Sequence, residues 1–326
     1  MSLLAIHGLS VDYALGGGSL RAVDSVSLEV EQGESVGVVG ESGCGKTTLG
    51  LAIPLLLPDN ATISQGSIQL NGEELVGLSE EAMRRHRWTD VAFIFQGAMN
   101  ALNPVQRVDR QIREAIRAHE PATTKDEADA RVLSLLDLVG IAPSRARSYP
   151  HEFSGGMRQR VMIAMSLACQ PSLLIADEPT TALDVISQAQ ILALLASLQR
   201  RESLSLLMIS HDLAAIKRVC GRLVVMYAGI VVESGPTRFL LGHGTRDAQA
   251  AHPYTQALIR SHPDLQGERQ LAEGLTGHPP DLSRPLVGCR FAERCPKAED
   301  RCRTIAPTPV TLAPGHLASC HLLEAT

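Results

Sequence analysis

Gly40-Glu41-Ser42-Gly43-Cys44-Gly45-Lys46-Thr47-Thr48 lies between an apolar run, Ser35 to Val39, and the segment Leu49 to Leu57. The run before it reads as a buried strand, and the segment after it can open a helix. Strand, glycine-rich turn and helix are the context in which a G-x-x-x-x-G-K-[ST] match predicts a phosphate loop. The glycines let the backbone bend so that successive N–H groups point inward at phosphate oxygens, and the helix N-terminus adds positive potential. Gly40, Ser42, Gly43, Cys44, Gly45, Lys46, Thr47 and Thr48 are therefore the candidate phosphate-binding residues. Lys46 is expected to reach the β- and γ-phosphates, and the Thr47 hydroxyl to hold Mg²⁺. A glycine-rich turn with a chance Lys-Thr is the plainer reading, but every fixed position of the motif is filled in the right context.

Further along, Ser172-Leu173-Leu174-Ile175-Ala176-Asp177-Glu178 reads as a buried strand that delivers two carboxylates at its C-terminal end. Ligands bind at that edge of open α/β sheets. Asp177 is expected to engage Mg²⁺ through water, and Glu178 to polarise the attacking water as general base. Leu204 to Ile209 is the next strand and ends at Ser210-His211-Asp212. A lone histidine at a strand end is usually structural; at this edge His211 is expected near the γ-phosphate.

Other elements frame these. Leu3 to Val11 and Arg21 to Val30 alternate like antiparallel strands, with Gly16-Gly17-Gly18 as the turn. Tyr13, at the end of the first, could stack on a base or be a half-buried strand aromatic, and spacing leaves both open. Ser67 to Leu70 and Val91 to Phe95 read as short strands, and Gln96 directly follows the second. Asn103-Pro104 breaks the chain. Gln111 to His119 and Glu127 to Val139 are predicted helices, and Glu127 and Arg131 offer an i, i+4 acid–base pair. Ser154-Gly155-Gly156 opens a helix to about Cys169, with serine as N-cap and an anion-friendly row of N–H groups. Thr180 to Asp184 turns into a helix from Gln188 to Arg200. Leu223 to Tyr227 and Ile230 to Glu233 form a hairpin. From about Gly242 the texture changes to frequent proline, with only Pro253 to Arg260 helical.

The chain has 326 residues, 20% of them charged, and a formal net charge of −5. That gives no electrostatic case for nucleic acid as the main partner. Aromatics are 3%, so the core is aliphatic. The N-terminus lacks a secretory signal pattern, and no apolar run approaches the ~20 residues needed to span a bilayer.

The order phosphate loop, Gln96, Ser154-Gly155-Gly156, Asp177-Glu178, Asp184, His211 resembles the nucleotide-binding subunit of ABC transporters over residues 1 to about 240. The resemblance implies an α/β P-loop NTPase fold with an antiparallel β subdomain, a helical subdomain at about 105–165 and a small C-terminal extension. It sets residues 1–241 as the nucleotide-binding domain and 242–326 as the extension. It implies that Tyr13 stacks on adenine and that Gln96 links Mg²⁺ to the membrane-subunit contact. It further implies that Ser154, Gly155 and Gly156 touch the γ-phosphate of ATP held by an opposite subunit. Asp184 then belongs to a loop crossing the dimer interface, and His211 is a switch histidine. Phe95-Gln96, Leu102-Asn103-Pro104, Ser154 to Arg160, Ala176 to Asp184 and His252-Pro253-Tyr254-Thr255 look like the oligopeptide, dipeptide and nickel importers. Met157 stands where the general signature has Gln, as this subfamily commonly does.

The implied function is an ATPase that energises import of peptides, or a related solute such as nickel, through dimer closure coupled to permeases. The implied partners are two integral membrane permease subunits, a paralogous ATP-binding subunit in a heterodimer, and an extracytoplasmic substrate-binding protein. The implied location is peripheral, on the cytoplasmic face of the cell membrane. The alternative is a soluble ABC-type ATPase acting on nucleic acid or ribosomes; against it stand the single phosphate loop, the short helical insertion and the negative charge.

Seven cysteines are present. Cys44, Cys169 and Cys220 read as buried or incidental thiols. Cys289, Cys295, Cys302 and Cys320 crowd the tail at spacings x5, x6 and x17, without the paired C-x₂-C knuckles of zinc ribbons. A signal-free, nucleotide-binding chain makes a metal the expectation before disulfides. Four thiolates can hold an iron–sulfur cubane or zinc, and four reduced thiols without metal is the third reading. The family resemblance points to a [4Fe-4S] cluster, which would staple a tail too small to fold on its own core.

Overall fold

The computed structural model describes residues 2–97, 101–242, 249–261 and 275–324. The chain forms two compact units, one of Met1–Leu3, Val30–Glu34 and Gly77–Met208, the other of Leu4–Glu29, Ser35–Val76 and Ile209–Thr326. Each is described by itself.

The unit containing Leu4–Glu29 opens with two long strands, β1 (Ser2–Leu15) and β2 (Gly18–Glu31). With β4 (Ala61–Leu70) and β5 (Glu73–Glu74) they form a sheet in the order β2-β1-β4-β5. Val26, Leu28 and Val30 are buried while Ser27, Glu29 and Glu31 are exposed, the period-two pattern of a strand with one wet face. β1 runs antiparallel to β4, with Leu4 opposite Leu70 and Ile6 opposite Ile68. β3 (Ser35–Val39) is buried along its whole length, as strands covered on both faces are. It pairs in parallel with β9 (Arg222–Tyr227), and β10 (Ile230–Pro236) returns antiparallel to β9.

The proline-rich tail does more than its composition indicated. β12 (His316–Ser319) pairs with β10, and β11 (Pro309–Ala313) pairs with β12, giving the order β11-β12-β10-β9-β3. These strands are short and β11 is largely exposed, so no apolar alternation announces them. α7 (Leu213–Val219), α8 (Thr237–Leu241) and α9 (Pro253–Arg260) belong to the same unit. α1 (Lys46–Ala52) occupies only the first part of the Leu49 to Leu57 segment expected to open a helix. Pro54 has no N–H to continue the ladder, so the chain turns there.

In the other unit β6 (Val91–Ile94) pairs in parallel with β7 (Leu173–Asp177), Val91 opposite Leu173 and Ile94 opposite Ala176. β8 (Ser205–Ile209), whose last residue falls in the second unit, lies beside β7. Five helices pack with these strands: α2 (Glu80–His86), α3 (Val108–His119), α4 (Lys125–Leu138), α5 (Gly155–Ser166) and α6 (Val185–Arg201). α3 buries Val108, Ile112 and Ile116 on one stripe at four-residue spacing. The expected Glu127–Arg131 pair does not form. Glu127 instead closes a capping box, its carboxylate accepting the Thr124 N–H at 2.8 Å, and Arg131 pairs with Glu120 at 2.8 Å. Satisfying an orphan N–H at the helix start outweighs a solvent-screened pair one turn along.

Candidate functional site

The phosphate loop bends through Gly45, at φ 100, where a Cβ would sit 2.2 Å from the Ala22 carbonyl oxygen. Only glycine fits there. The turn closes into α1 through the Leu49 N–H, which donates to the Gly45 carbonyl at 2.9 Å. Lys46 is 8% exposed, and its Nζ donates to the carbonyls of Gly40 at 2.8 Å and Glu41 at 2.9 Å. Buried ammonium demands such acceptors, and they hold the side chain inside its own loop. A phosphate oxygen entering the loop finds the charge already in position. Cys44 is buried in the loop, and burial pushes its thiol up despite the adjacent Lys46, so it stays neutral.

Tyr13 reaches the same place from β1. Its hydroxyl lies 3.1 Å from Thr48 Oγ1, and with Leu15, Leu20, Lys46 and Thr47 it lines a cavity of about 400 Å³. That is enough room for a nucleotide-sized ligand. Ser42, Gly43 and Thr47 are exposed, with Lys46 behind them. The donor set fits a polyphosphate with its Mg²⁺: fixed N–H groups, one buried cation and an accessible hydroxyl. His211 belongs to the same unit and is exposed after β8, between Ser210 and Asp212. Asp212 caps α7, accepting the Ala214 N–H at 2.8 Å, and Ser210 Oγ accepts the Asp212 N–H at 3.0 Å. Two capping bonds thus fix the backbone on which His211 rides.

The other unit carries the carboxylates. β7 ends on Asp177, 1% exposed, and Glu178 follows in the left-handed region at φ 49. A left-handed glutamate is uncommon, and such backbone is retained where a side chain must be aimed. Thr181 supports it twice: its Oγ1 donates to Glu178 Oε2 at 3.2 Å and its N–H to the Glu178 carbonyl at 3.1 Å. Gln96 is exposed just after β6.

Ser154 caps α5 as expected, its Oγ accepting the Met157 N–H at 3.3 Å. Asp184 caps α6 in the same manner, accepting the Ser187 N–H at 2.9 Å and the Ser187 hydroxyl at 2.7 Å. Those bonds hold its carboxyl below the usual range. The two helix starts meet, because Gly156 faces Ser187 so closely that a Cβ would lie 2.8 Å from Ser187 Oγ. Ser154, Gly155 and Gly156 are thereby brought together with Asp184. Sequence reasoning missed Glu41, Tyr254 and Arg294, which meet beside the phosphate loop. A carboxylate inside an anion-binding loop was the available signal, since it requires a cation, but nothing local says which.

The expected [4Fe-4S] cluster, and zinc in its place, must be corrected. Among the described residues no group of three or more His, Cys, Asp or Glu side chains is placed to hold a metal ion. Cys289, Cys295, Cys302 and Cys320 line a small apolar pocket with Phe291, Ala292 and Leu322. Burial pushes the thiols of Cys289, Cys295 and Cys320 up, away from the thiolate that a metal needs. They pack there as small hydrophobes. Cys44, Cys169 and Cys220 are buried thiols, as read from the sequence.

Comparison with known proteins covers nearly the whole chain. The family described as "ABC transporter" matches residues 23–181, and "Oligopeptide/dipeptide transporter, C-terminal region" matches residues 232–302. A probable peptide ABC transporter ATP-binding protein of Sinorhizobium fredii is 46% identical over 98% of this chain and 94% of its own. The dipeptide transport ATP-binding protein DppD of Escherichia coli is 44% identical over 98% of this chain and 97% of its own. Among solved structures, the ATP-binding cassette MJ0796, as a dimer in a post-hydrolysis state bound to ADP and Pi, superposes with a TM-score of 0.65. It is 25% identical and covers 72% of this chain and 99% of its own.

Proposed function

This chain belongs to the ABC transporter ATP-binding proteins, in the group with an oligopeptide/dipeptide transporter C-terminal region, and from that we propose that it drives peptide import by hydrolysing ATP. It is an ATPase of the P-loop NTPase class. The observation that carries the reading is the phosphate loop closed around buried Lys46, with Tyr13 at its open side.

In this reading Lys46, Thr47, Thr48 and the loop residues Gly40, Ser42, Gly43, Cys44 and Gly45 hold the triphosphate, and Tyr13 stacks on the base. Thr47, Gln96 and Asp177 would hold Mg²⁺, which would supply charge neutralisation for phosphoryl transfer. Glu178 takes a proton from the attacking water, and its left-handed backbone supports that aim. His211 steadies the γ-phosphate as charge develops. Ser154, Gly155, Gly156 and Asp184 complete the site of a second subunit. Val185 and Ile186, 79% and 71% exposed beside Asp184, support such a face. Phe95, 45% exposed and next to Gln96 in the chain, supports contact with a membrane subunit.

We read residues 1–241 as the nucleotide-binding domain and 242–326 as the extension. The partners are two permease subunits, a substrate-binding protein acting through them, and a paralogous ATPase in a heterodimer. The subunit is peripheral on the cytoplasmic face; among the described residues no helix is long and apolar enough to cross a membrane. The alternative of an ATPase acting on nucleic acid or ribosomes finds no support in the comparisons.

The test is reconstitution of the chain with its permeases and partner ATPase in vesicles supplied with peptide-loaded binding protein. Uptake of peptide should require ATP and be lost in Lys46→Ala. ATP hydrolysis stimulated by nucleic acid or ribosomes, and indifferent to the loaded binding protein, would overturn the reading.

A further inference from the structure

Glu41, the second residue of the phosphate loop, is gripped from the far end of the chain. Arg294 holds its carboxylate with both arms of the guanidinium, Nη1 to Oε2 at 2.6 Å and Nη2 to Oε1 at 2.8 Å. The Arg294 side chain is 5% exposed and the Glu41 side chain 23%, so the guanidinium is shielded and the carboxylate partly so. Two further donors are used, Nε toward the Thr276 carbonyl at 2.9 Å and Nη1 toward the Tyr227 hydroxyl at 3.2 Å. Tyr254, fully buried at the start of α9, accepts the Glu41 backbone N–H on its hydroxyl at 2.9 Å. The third hold is Lys46, which donates to the Glu41 carbonyl at 2.9 Å. One residue is thus fixed at its side chain, its N–H and its carbonyl.

The grip has a rigid base. Tyr227, Tyr254 and Phe291 pack ring against ring, with centroids 4.6 Å, 5.3 Å and 5.4 Å apart. A second arm runs in parallel, with Arg290 bonding Asp24 and the Ala228 carbonyl. Bidentate arginine–carboxylate pairs fix geometry as well as supplying energy. Surface stapling of a tail needs none of this at a phosphate-binding residue.

We propose that the C-terminal region positions the phosphate loop for nucleotide, with Arg294 and Tyr254 as positioning residues acting through Glu41. They hold the Glu41 peptide so that its carbonyl seats Lys46 and the following N–H groups face the phosphates. Nucleotide affinity and tail docking are then coupled: whatever loosens the tail loosens the loop. This rests on the ATPase reading above.

The experiment is calorimetric titration of the full-length chain with MgADP, alongside thermal melting of each variant. Tyr254→Phe removes only the hydroxyl that accepts the Glu41 N–H and keeps the ring in its cluster. Its Kd for MgADP should rise about fivefold, as one buried hydrogen bond to the loop is lost. Arg294→Gln and Glu41→Gln should each raise Kd about tenfold, and the double variant no more than the worse single, because the two changes cut one link. Arg294→Lys should recover less than half of the loss, since an ammonium cannot span both carboxylate oxygens. Kd within twofold of the parent in folded Tyr254→Phe and Arg294→Gln, even with a lowered Tm, overturns the positioning role and leaves the ATPase reading intact. Failure of the unmodified chain to bind MgADP at all overturns both.

Discussion

Gly156 and Ser187 bring the starts of α5 and α6 into close contact. A Cβ on Gly156 would meet Ser187 Oγ at 2.8 Å and Ser187 Cβ at 3.0 Å. The glycine therefore has a packing reason of its own, beside any role toward a phosphate. Gly156→Ala should lower stability by about 1–3 kcal/mol, the range for forcing a methyl into a filled contact. Ser187→Gly in the same chain should return part of it by removing the opposing Cβ. Urea unfolding of the two variants checks this, and an unchanged midpoint in Gly156→Ala would show that the contact is not tight.

Glu178 is the carboxylate assigned to the attacking water. Glu178→Gln keeps the shape and the left-handed turn but removes the base. ATP turnover in the assembled transporter should fall by about 10²–10⁴-fold while nucleotide binding stays within a few-fold. Steady-state hydrolysis and MgADP titration measured on one preparation separate the two quantities. Turnover within a few-fold of the parent would remove Glu178 from the base role.

His211→Ala should lower kcat far more than it weakens nucleotide binding, because a contact to developing charge on the γ-phosphate matters most in the transition state. Ser210 and Asp212 keep their capping bonds without it, so the local backbone stays in place. Single-turnover hydrolysis in the assembled complex reads the effect. An unchanged rate assigns His211 to the surface.

Much of this was legible from local pattern. The phosphate loop, the buried β7 that ends on Asp177 and the Ser154 cap each depend on residues within a few positions of one another. Element periodicity and motif spacing can see that range. What escaped depends on distance or on competition. Arg294 reaches Glu41 across most of the chain, and no spacing rule links them. β11 and β12 are too short to show alternation, and β11 is largely exposed besides. Glu127 was free on spacing to pair with Arg131, yet the N–H at the start of α4 claimed it. The four tail cysteines show the opposite error: their clustering in sequence suggested thiolate ligation, whereas they line an apolar pocket in which burial pushes the thiols of Cys289, Cys295 and Cys320 up.

The tail also makes a buried histidine–carboxylate hydrogen bond that sequence could not locate. His316 Nε2 lies 2.8 Å from Glu233 Oε1, with side chains 4% and 0% exposed. Glu233 further accepts the N–H groups of Ala251 at 2.7 Å and His252 at 3.1 Å. Glu233→Leu leaves three donors, two of them buried, without their acceptor and should cost about 3–5 kcal/mol. Urea unfolding measures it, and a loss under about 1 kcal/mol would mean that the site relaxes around the change.

His252 makes the tail sensitive to acid. It is 1% exposed, caps α9 by accepting the Tyr254 N–H on Nδ1 at 3.0 Å, and burial pushes its pKa from 6.5 down to about 4. Around it lie the Glu233 carboxylate on its own N–H, the Phe291 ring at 6.0 Å and the thiols of Cys289, Cys295, Cys302 and Cys320. With the folded pKa below the unfolded one, the unfolded chain binds more protons between about pH 4 and 6.5, so stability rises with pH across that window. The contribution, on the order of 3 kcal/mol, is fully present above pH 6.5 and is lost as pH falls toward 4. His252→Asn keeps a side-chain acceptor at the cap but does not titrate. Urea unfolding between pH 4.5 and 7.5 should therefore show a steeper loss of stability on acidification for the parent than for His252→Asn. Parallel profiles would assign the acid sensitivity to other groups. Because α9 also carries Tyr254, whose hydroxyl holds the Glu41 N–H, protonation of His252 in the folded chain should weaken MgADP binding only as pH falls toward 4, and in His252→Asn that added weakening should disappear.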